Sequence, residues 1–352
     1  MKKPVRIGIV GCGVIAQYHA KALAGWTDAQ IVAVADLREE AALRTAADFK
    51  VGKVYTDPHT LIADPEVDAV ILALPANGRT ELGIAAFRAG KHVLTEKPVA
   101  MNAQEVGLLM AAQGQRVGAC CSSRHRFTET ARIAAEFMAS GALGKLRHLR
   151  CRALCSAAPA REKMPPIWSW SRKLNGGGVL MNWGCYDLDF FLGTVGWSLV
   201  PRQVMGSIHG VSPQFVSQLP PGSDAESHAI GFIMFDGNVT MAYERAEFYS
   251  GKDEAVWEIS GAEGSLELAL APRDGPLLIH RHISMKGDLK EKVLWGGPDS
   301  WLDIHNGPVR DFVMAIRENR QPRTNLKQAL VVAQISDAIY TSAATGKTVQ
   351  IN

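Results

Sequence analysis

The residues near the amino terminus that could do chemistry form a glycine-rich turn. Gly11-Cys12-Gly13-Val14-Ile15-Ala16 has the spacing G-x-G-x-x-A and stands between an apolar, β-branched run and an Ala-rich stretch. The first glycine allows a tight turn, the second lets the backbone approach a pyrophosphate, and the small Ala16 lets helix and strand pack closely. Phosphate groups would then face the positive end of the new helix. The alternative is a glycine turn that binds nothing.

An acidic residue supports the dinucleotide interpretation of this turn. A second apolar run, Ile31–Ala35, ends in Asp36, about twenty residues beyond the motif. A carboxylate at this place would accept hydrogen bonds from the ribose hydroxyls and repel a 2′-phosphate, so the sequence favours NAD over NADP. The nearby Arg38 is the one feature that would favour NADP. The residues expected to contact the cofactor here are Gly11, Gly13, Val14, Ile15, Asp36 and Arg38.

A second polar group follows a later apolar strand. Thr95-Glu96-Lys97-Pro98 lies at the carboxyl end of the strand predicted at His92–Thr95. Open α/β sheets bind their ligands at this edge. A Glu and a Lys there could anchor a ribose and place an ammonium beside a reacting oxygen. The alternative is a solvated loop. Because the residue before proline adopts a cis peptide at low cost, we also predict a cis Lys97–Pro98 bond.

A third group begins with three glycines, Gly176 to Gly178. They would open a backbone loop onto something bulky, and an apolar helix would follow. On that helix Asn182, Tyr186 and Asp189 stand at i, i+4 and i+7, which places them on one face. The alternative is a buried, hydrogen-bonded tyrosine within a helical core.

The elements that must position these residues alternate between strand and helix up to Cys121. Such alternation predicts a parallel sheet with right-handed crossovers. Beyond residue 122 the strands become longer and predict a mostly antiparallel sheet covered by helices, with a turn at Asp236-Gly237. The fold class is therefore α/β, with an N-terminal Rossmann domain (1–122) and a C-terminal α+β domain with an open sheet (123–352). Whether the last helix packs back on the first domain stays open.

Helices are predicted at Glu39–Phe49, Pro58–Ala63, Pro308–Arg317 and Leu326–Thr345, and strands include Val67–Leu74 and Pro276–His282.

Composition narrows the classes of partner. The chain has 352 residues and a formal net charge of +3, which is too small to indicate a nucleic-acid partner. No apolar run approaches the length of a membrane span, and no signal peptide precedes the first strand, so we expect a cytoplasmic protein. Cys151-x-x-x-Cys155 lacks a second pair of ligands, so we expect reduced thiols and no metal site.

Four spaced segments together resemble the glucose–fructose oxidoreductase/inositol dehydrogenase/MocA family. In order they are GCGVIAQYHAKAL, the AD that ends the second strand, AGKHVLTEKP and GGGVLMNWGCYDLD. The resemblance implies a dehydrogenase or reductase that uses NAD to act on one carbinol of a sugar, sugar derivative or cyclitol. It also implies that Lys97 hydrogen-bonds the reacting oxygen and that Tyr186, where many members have His, gives or takes the proton. Asn182 stands where the family usually has Asp, and Arg79 where many members have His.

The chemistry of a tyrosine is consistent with this role. A free phenol has a pKa of about 10, so a base that works near neutrality needs it lowered by roughly two units, or about 3 kcal/mol. The Lys97 ammonium would act in that direction, and the neutral Asn182 would not oppose it.

The remaining site predictions concern the cofactor, the substrate and the assembly. Further cofactor contacts are expected from Pro75, Asn77, Glu96 and Lys97. Substrate contacts are expected from Arg124, His125, Trp168, Asn182 and Tyr186, with Trp170, His305 and Asn306 as further candidates. The substrate is a small sugar or polyol, and a homo-oligomer formed through the C-terminal sheet is expected. Two alternatives remain: an NAD-dependent, redox-neutral glycoside hydrolase or lyase, and a non-catalytic sugar–nucleotide sensor.

Overall fold

The structure is a computed structural model that describes residues 3–157, 164–271 and 277–351. Its internal contacts divide the chain into two units. The first contains Met1–Arg124 and Leu302–Leu330, and the second contains His125–Trp301 and Val331–Asn352. The domain limits 1–122 and 123–352 stay a prediction. Among the described residues, no helix combines the length and the apolar character needed to cross a bilayer.

The first unit is built on a six-stranded parallel sheet with the order β3-β2-β1-β4-β5-β6. Its strands are β1 (Val5–Val10), β2 (Ala29–Ala35), β3 (Lys53–Tyr55), β4 (Ala69–Leu72), β5 (His92–Thr95) and β6 (Gly118–Cys120). The central strands are continuous apolar runs because both faces of the sheet are covered. Successive strands are added on one side of β1 up to β3 and on its other side from β4 onward, and this switch creates a crevice at the carboxyl ends of β1 and β4.

The helices of the first unit connect these strands. They are α1 (Val14–Leu23), α2 (Glu39–Phe49), α3 (Pro58–Ala63), α4 (Arg79–Arg88) and α5 (Ala103–Gln113). Asp57 and Asn102 cap α3 and α5 by accepting the backbone N–H groups of His59 and Glu105. Such caps satisfy N–H groups that have no partner within the helix.

The second unit is built on a nine-stranded sheet with the order β14-β13-β12-β11-β7-β10-β9-β8-β15. Its strands are β7 (Leu146–Ser156), β8 (Pro201–His209), β9 (His228–Phe235), β10 (Val239–Tyr249), β11 (Glu254–Gly261), β12 (Ser265–Leu268), β13 (Leu278–Ile283), β14 (Leu289–Trp295) and β15 (Val349–Gln350). The pair β7–β10 is parallel and the other pairs are antiparallel. The fold-class prediction is therefore confirmed: a parallel Rossmann sheet and a mostly antiparallel open sheet.

The helices of the second part of the chain are α6 (Glu129–Ala139), α7 (Arg172–Asn175), α8 (Cys185–Thr194), α9 (Trp301–Glu318) and α10 (Leu326–Thr345). The side chains of α8 form much of the core of the second unit, with Leu188, Phe190 and Phe191 fully buried against the sheet. Helix α9 instead packs Val309 and Phe312 into the core of the first unit.

The structure corrects several predicted bounds. The helix predicted at Pro308–Arg317 begins earlier, at Trp301, and Pro308 lies inside it. The strand predicted at Val67–Leu74 is shorter, at Ala69–Leu72. The sequence predicted neither β14 nor β15, because β14 is too polar and β15 too short to show a strand pattern. The strand predicted from Pro276 is observed from Leu278, and Pro276 itself lies outside the described residues.

Candidate active site

The glycine turn of the first unit has the geometry that a bound dinucleotide needs. Gly11 has a φ of +90°, and a β-carbon there would lie 2.5 Å from the carbonyl oxygen of Ala73. A β-carbon at Gly13 would meet no atom within 4 Å, so this glycine leaves open space in front of the turn. Gly13 is the N-cap of α1, and no side chain caps that helix end. The first-turn N–H groups can therefore bind a pyrophosphate, and Val14 beside them is 79% exposed.

Asp36 is held in place at the end of β2. Its carboxylate accepts hydrogen bonds from the backbone N–H groups of Cys12, at 2.8 Å, and Arg38, at 2.9 Å. Two backbone donors fix the direction of this carboxylate beside the glycine turn. The Arg38 guanidinium is largely exposed and lies 3.6 Å from Asp36. The turn, the open helix end and the fixed carboxylate fit NAD.

The loops after β4 and β5 are joined by a buried arginine. Pro75 is half-buried and Asn77 is exposed, while the side chain of Arg79 turns inward. Its guanidinium donates to three backbone carbonyls, those of Leu74, Glu96 and Pro98. The predicted cis peptide between Lys97 and Pro98 is confirmed.

Glu96 is the centre of a buried ionic cluster. Its Oε1 lies 2.5 Å from Arg124 Nη2 and 2.9 Å from His19 Nε2, and its Oε2 accepts the backbone N–H of Lys97 at 3.0 Å. Burial alone would raise the pKa of Glu96, but the charge of Arg124 and the hydrogen bond from His19 outweigh it, so this pKa lies well below its usual range. The direct contacts of the carboxylate are therefore structural ones, and contact of Glu96 with the cofactor stays a prediction.

Cys121 lies beside the same cluster. His19, Glu96 and Cys121 bring three possible metal ligands within 4.8 Å of one another. Burial raises the pKa of the Cys121 thiol well above its usual value, and the guanidinium of Arg124 already neutralises Glu96. A protonated thiol and an adjacent fixed cation both oppose a metal ion, so we interpret the group as an ion-pair network.

His305 lies next to this cluster within the first unit. Its ring stacks on that of Tyr18 with the centroids 4.3 Å apart. Burial, together with the charge of Arg124, lowers the pKa of His305 to about 4, so this imidazole is neutral near pH 7. Asn306 is buried beside it.

The glycine loop of the second unit packs against protein groups, where the sequence suggested an unspecified bulky group. A β-carbon at Gly177 would overlap the hydroxyl of Tyr340, and one at Gly178 would overlap the backbone of Glu226. The buried Glu226 carboxylate accepts the N–H groups of Gly178, at 2.9 Å, and Leu180, at 3.1 Å, and the hydroxyl of Tyr340, at 2.8 Å. Glu226 thus ties the loop to α10.

The helix that follows is not a continuous α-helix. Leu180–Gly184 forms a π turn, and the α-helix begins only at Cys185. The segment is therefore not one regular α-helix, and a shared face for Asn182, Tyr186 and Asp189 stays a prediction. π turns within helices are frequent at functional sites.

Tyr186 is 4% exposed and lies between two aromatic rings. The ring of His125 meets it edge-on at 4.8 Å, and the ring of Trp183 at 5.8 Å. Asn182 is half-buried on the preceding turn. The structure therefore brings His125 and Tyr186 together, as two of the residues expected to bind substrate.

A buried acidic residue follows this tyrosine on α8 and pairs with a buried arginine of β10, and the sequence did not assign either of them to the site. Asp187 accepts a hydrogen bond from Trp257 Nε1 at 3.0 Å and lies 3.1 Å from Arg245 Nε, and burial raises the pKa of its carboxyl. The Arg245 guanidinium packs over the ring of Trp183 at 4.9 Å. Acidic residues on α8 are visible in the sequence, but nothing local indicates their partners on β10 and β11.

Asp189 of the predicted polar group and Trp170, a candidate substrate contact, both have structural partners. Asp189 is fully buried and lies 2.6 Å from Arg126 Nε. Trp170 packs in a small apolar cluster against Phe248, with the ring centroids 5.4 Å apart. Trp168 is half-buried in the same short helical turn, Ile167–Trp170, and its contact with substrate stays a prediction.

Comparison with known proteins gives consistent results for both units. Residues 5–122 match an oxidoreductase family with an NAD-binding Rossmann fold, and residues 131–267 match the GFO/IDH/MocA C-terminal domain. The chain is 32% identical over 319 residues to a myo-inositol 2-dehydrogenase of Thermotoga maritima, which covers 90% of each chain. It is 24% identical over 358 residues to a D-glucoside 3-dehydrogenase of Escherichia coli, covering 99% of this chain and 98% of that one.

A solved structure shows the same fold. A levoglucosan dehydrogenase in complex with NADH and L-sorbose superposes with a TM-score of 0.86 at 23% identity, and the match covers all of both chains. The sequence matches, together with the glycine turn and the fixed Asp36 described above, show that the chain belongs to the glucose–fructose oxidoreductase/inositol dehydrogenase/MocA family of NAD-binding oxidoreductases.

Proposed function

We propose that the protein is an NAD-dependent dehydrogenase or reductase that acts on one carbinol of a sugar, sugar derivative or cyclitol. The observation that carries the proposal is Tyr186, a buried tyrosine packed between His125 and Trp183. It lies on a helix whose start is fixed by a buried carboxylate. The named relatives act on inositol and on glucosides, which supports the substrate class.

In this proposal Tyr186 takes the hydroxyl proton during oxidation and returns it during reduction. Lys97 donates a hydrogen bond to the reacting oxygen, and its positive charge favours the deprotonated phenol. NAD, when bound, accepts the hydride from the carbinol carbon or returns it. Asn182, as a neutral amide, can bind a substrate hydroxyl without opposing the loss of the phenolic proton.

The other proposed substrate contacts are Arg124, His125 and Trp168. His125 packs against Tyr186 and can orient both the phenol and a bound hydroxyl. Trp168 offers a face on which a sugar ring could stack. Arg124 binds Glu96 through Nη2, and in this proposal its guanidinium also contacts the substrate.

The experiment is a screen of NADH formation over sugars, inositols and glycosides, followed by kinetics of Tyr186→Phe and Lys97→Met. Tyr186→Phe removes one oxygen, so turnover should fall about 10²–10⁴-fold, the usual size of general acid–base catalysis, while NAD affinity and Tm barely change. Lys97→Met should be at least as damaging, and the double variant much less than additive. Tyr249→Phe, at the end of β10, is the matched control and should keep full activity.

Near-full turnover of Tyr186→Phe on the best substrate would contradict the proposed proton transfer. Cleavage of a glycoside without net NADH formation would favour the redox-neutral alternative. Binding of a sugar with neither NADH formation nor glycoside cleavage would favour a sensor.

We also propose that the protein is a homo-oligomer that pairs through the open face of the nine-stranded sheet. Residues of β9 alternate between buried and exposed, and the exposed set carries large apolar side chains. Phe232 is 47% exposed and Met205, its neighbour on β8, is 53% exposed. Arg152 on the same face lies 2.8 Å from both Glu244 and Glu254.

A second copy of this chain fits that face, because a two-fold interface brings the same patch together with itself and can exchange such ion pairs. Light scattering after size exclusion should show a dimer or larger assembly for the native chain and a monomer for Phe232→Glu. Val216→Glu, at an exposed residue of the turn Pro213–Gln218, should leave the mass unchanged. A monomeric native chain would refute the proposal.

A further inference from the structure

Arg79 is an arginine buried in the first unit, 3% exposed, at the start of α4. Its Nε donates to the carbonyl of Leu74 at 2.8 Å, and its Nη1 donates to the carbonyls of Glu96, at 2.8 Å, and Pro98. Leu74 follows β4, and the other two residues follow β5. One side chain therefore binds the loops at the ends of two neighbouring strands.

Two of these carbonyls belong to the residues on either side of Lys97. The backbone N–H of Lys97 is also bound, because it donates to the Glu96 carboxylate at 3.0 Å. The main chain around Lys97 is thus held at three points, and two of them depend on Arg79. From this geometry we propose that Arg79 is a positioning residue that fixes the main chain of Lys97 and so the direction of its side chain.

The chemistry of the guanidinium suits this task. It is planar and presents several N–H donors in a fixed arrangement, whereas a lysine ammonium is a compact point charge on a flexible stem. Buried carbonyls that lose their donor must find another or move towards water. The loop after β5 would therefore shift without Arg79. The charge of Arg79 also helps to hold the pKa of Glu96 well below its usual range. The Glu96 carboxylate that accepts the N–H of Lys97 therefore stays ionised.

The inference rests on the proposed role of Lys97, so the test separates the two. Arg79→Met is compared with Lys97→Met and with the double variant, and Arg88→Met, at an exposed arginine of the same helix, is the matched control. We measure kcat, KM, NAD affinity by calorimetry and Tm for each protein. A displacement of about 1 Å at a catalytic group can lower turnover about 100-fold.

The expected result is that Arg79→Met lowers kcat about 10–100-fold and changes KM and the NAD dissociation constant by less than about threefold. Adding Arg79→Met to Lys97→Met should cost almost nothing further, because the lysine that Arg79 positions is already absent. Arg79→Ala should regain part of its kcat when guanidinium chloride is added at low millimolar concentration, relative to the same concentration of sodium chloride. Arg88→Met should match the native chain.

Different failures have different meanings. If Lys97→Met keeps native turnover, the proposed role of Lys97 fails, whatever Arg79 does. If Lys97→Met is impaired but Arg79→Met has native kcat, the positioning role of Arg79 is overturned. The same holds if Arg79→Met lowers the residual rate of Lys97→Met as much as it lowers the native rate. A fall in Tm alone, with native kcat per folded molecule, would make Arg79 purely structural and would also overturn it.

Discussion

Replacing Gly178 with alanine should destabilise the second unit strongly. A β-carbon at this residue would lie 1.9 Å from the carbonyl oxygen of Glu226, and real β-carbons essentially never approach closer than 3.0 Å. The contact is with backbone, so no side-chain rotation can relieve it. The chain around Glu226 would have to move by more than about 1 Å, the difference between these distances.

That movement would break the hydrogen bonds that hold the loop. Glu226 accepts the N–H groups of Gly178, at 2.9 Å, and Leu180, at 3.1 Å, through its carboxylate, and that of Val179, at 3.0 Å, through its carbonyl. Bonds to a charged group contribute about 1.5–3 kcal/mol each and a neutral one about 1 kcal/mol. The expected loss in free energy of unfolding, taken at the lower limit of these values, is therefore about 4 kcal/mol. For a unit of roughly 200 residues this corresponds to a fall in Tm of about 8–16 °C.

Differential scanning calorimetry of Gly178→Ala and of Gly210→Ala measures this effect. A β-carbon at Gly210 would meet no atom within 4 Å, and its backbone lies outside the left-handed region, so its Tm should not fall. The circular dichroism of each variant is recorded to confirm that the native fold forms below the transition. If both variants melt within about 2 °C of the native chain, the packing argument for the glycine loop is wrong.

Two further predictions concern the first unit. Asp36→Ser should lose the preference for NAD over NADP, which we expect to be at least tenfold, or about 1.4 kcal/mol, in the native chain; calorimetric titration with both cofactors checks this, and an unchanged ratio would contradict the role of the carboxylate. His305→Gln should make stability less dependent on pH between about 6.5 and 4. The unfolded histidine binds a proton in this range, whereas the folded one, with its pKa near 4, does not, so native stability falls as the pH falls. The urea midpoints of the native chain and of His305→Gln are measured at pH 7 and pH 5. Equal pH dependence of the two would refute the lowered pKa of His305 as the cause.

The sequence was sufficient for features that depend on local signals. The bounds of α2 and α10 match their predicted limits, because apolar spacing and nearby turn residues define them. The glycine turn, Asp36 and the cis peptide before Pro98 also follow from short segments. Each of these features is encoded within a few residues of where it appears.

The features that could not be predicted depend on residues far apart in the chain. Gly178 and Glu226 are 48 residues apart, and Arg245 and Asp187 are 58 apart, so no local pattern joins either pair. The sequence shows only that Arg79 stands where many family members have His, whereas the structure turns its side chain toward carbonyls from two loops. Buried polar groups need partners, but the sequence does not tell which partner the fold brings to them.

The π turn at Leu180–Gly184 has a consequence for comparing this chain with its relatives. A π turn closes an i→i+5 hydrogen bond, one residue longer than the α-helical i→i+4 bond. Because this wider turn takes up one extra residue, removing one residue there would restore a regular α-helix and leave the segments on either side in nearly the same relative orientation. A relative without this turn can be aligned correctly to the glycines or to Tyr186, but only a one-residue gap between them aligns both.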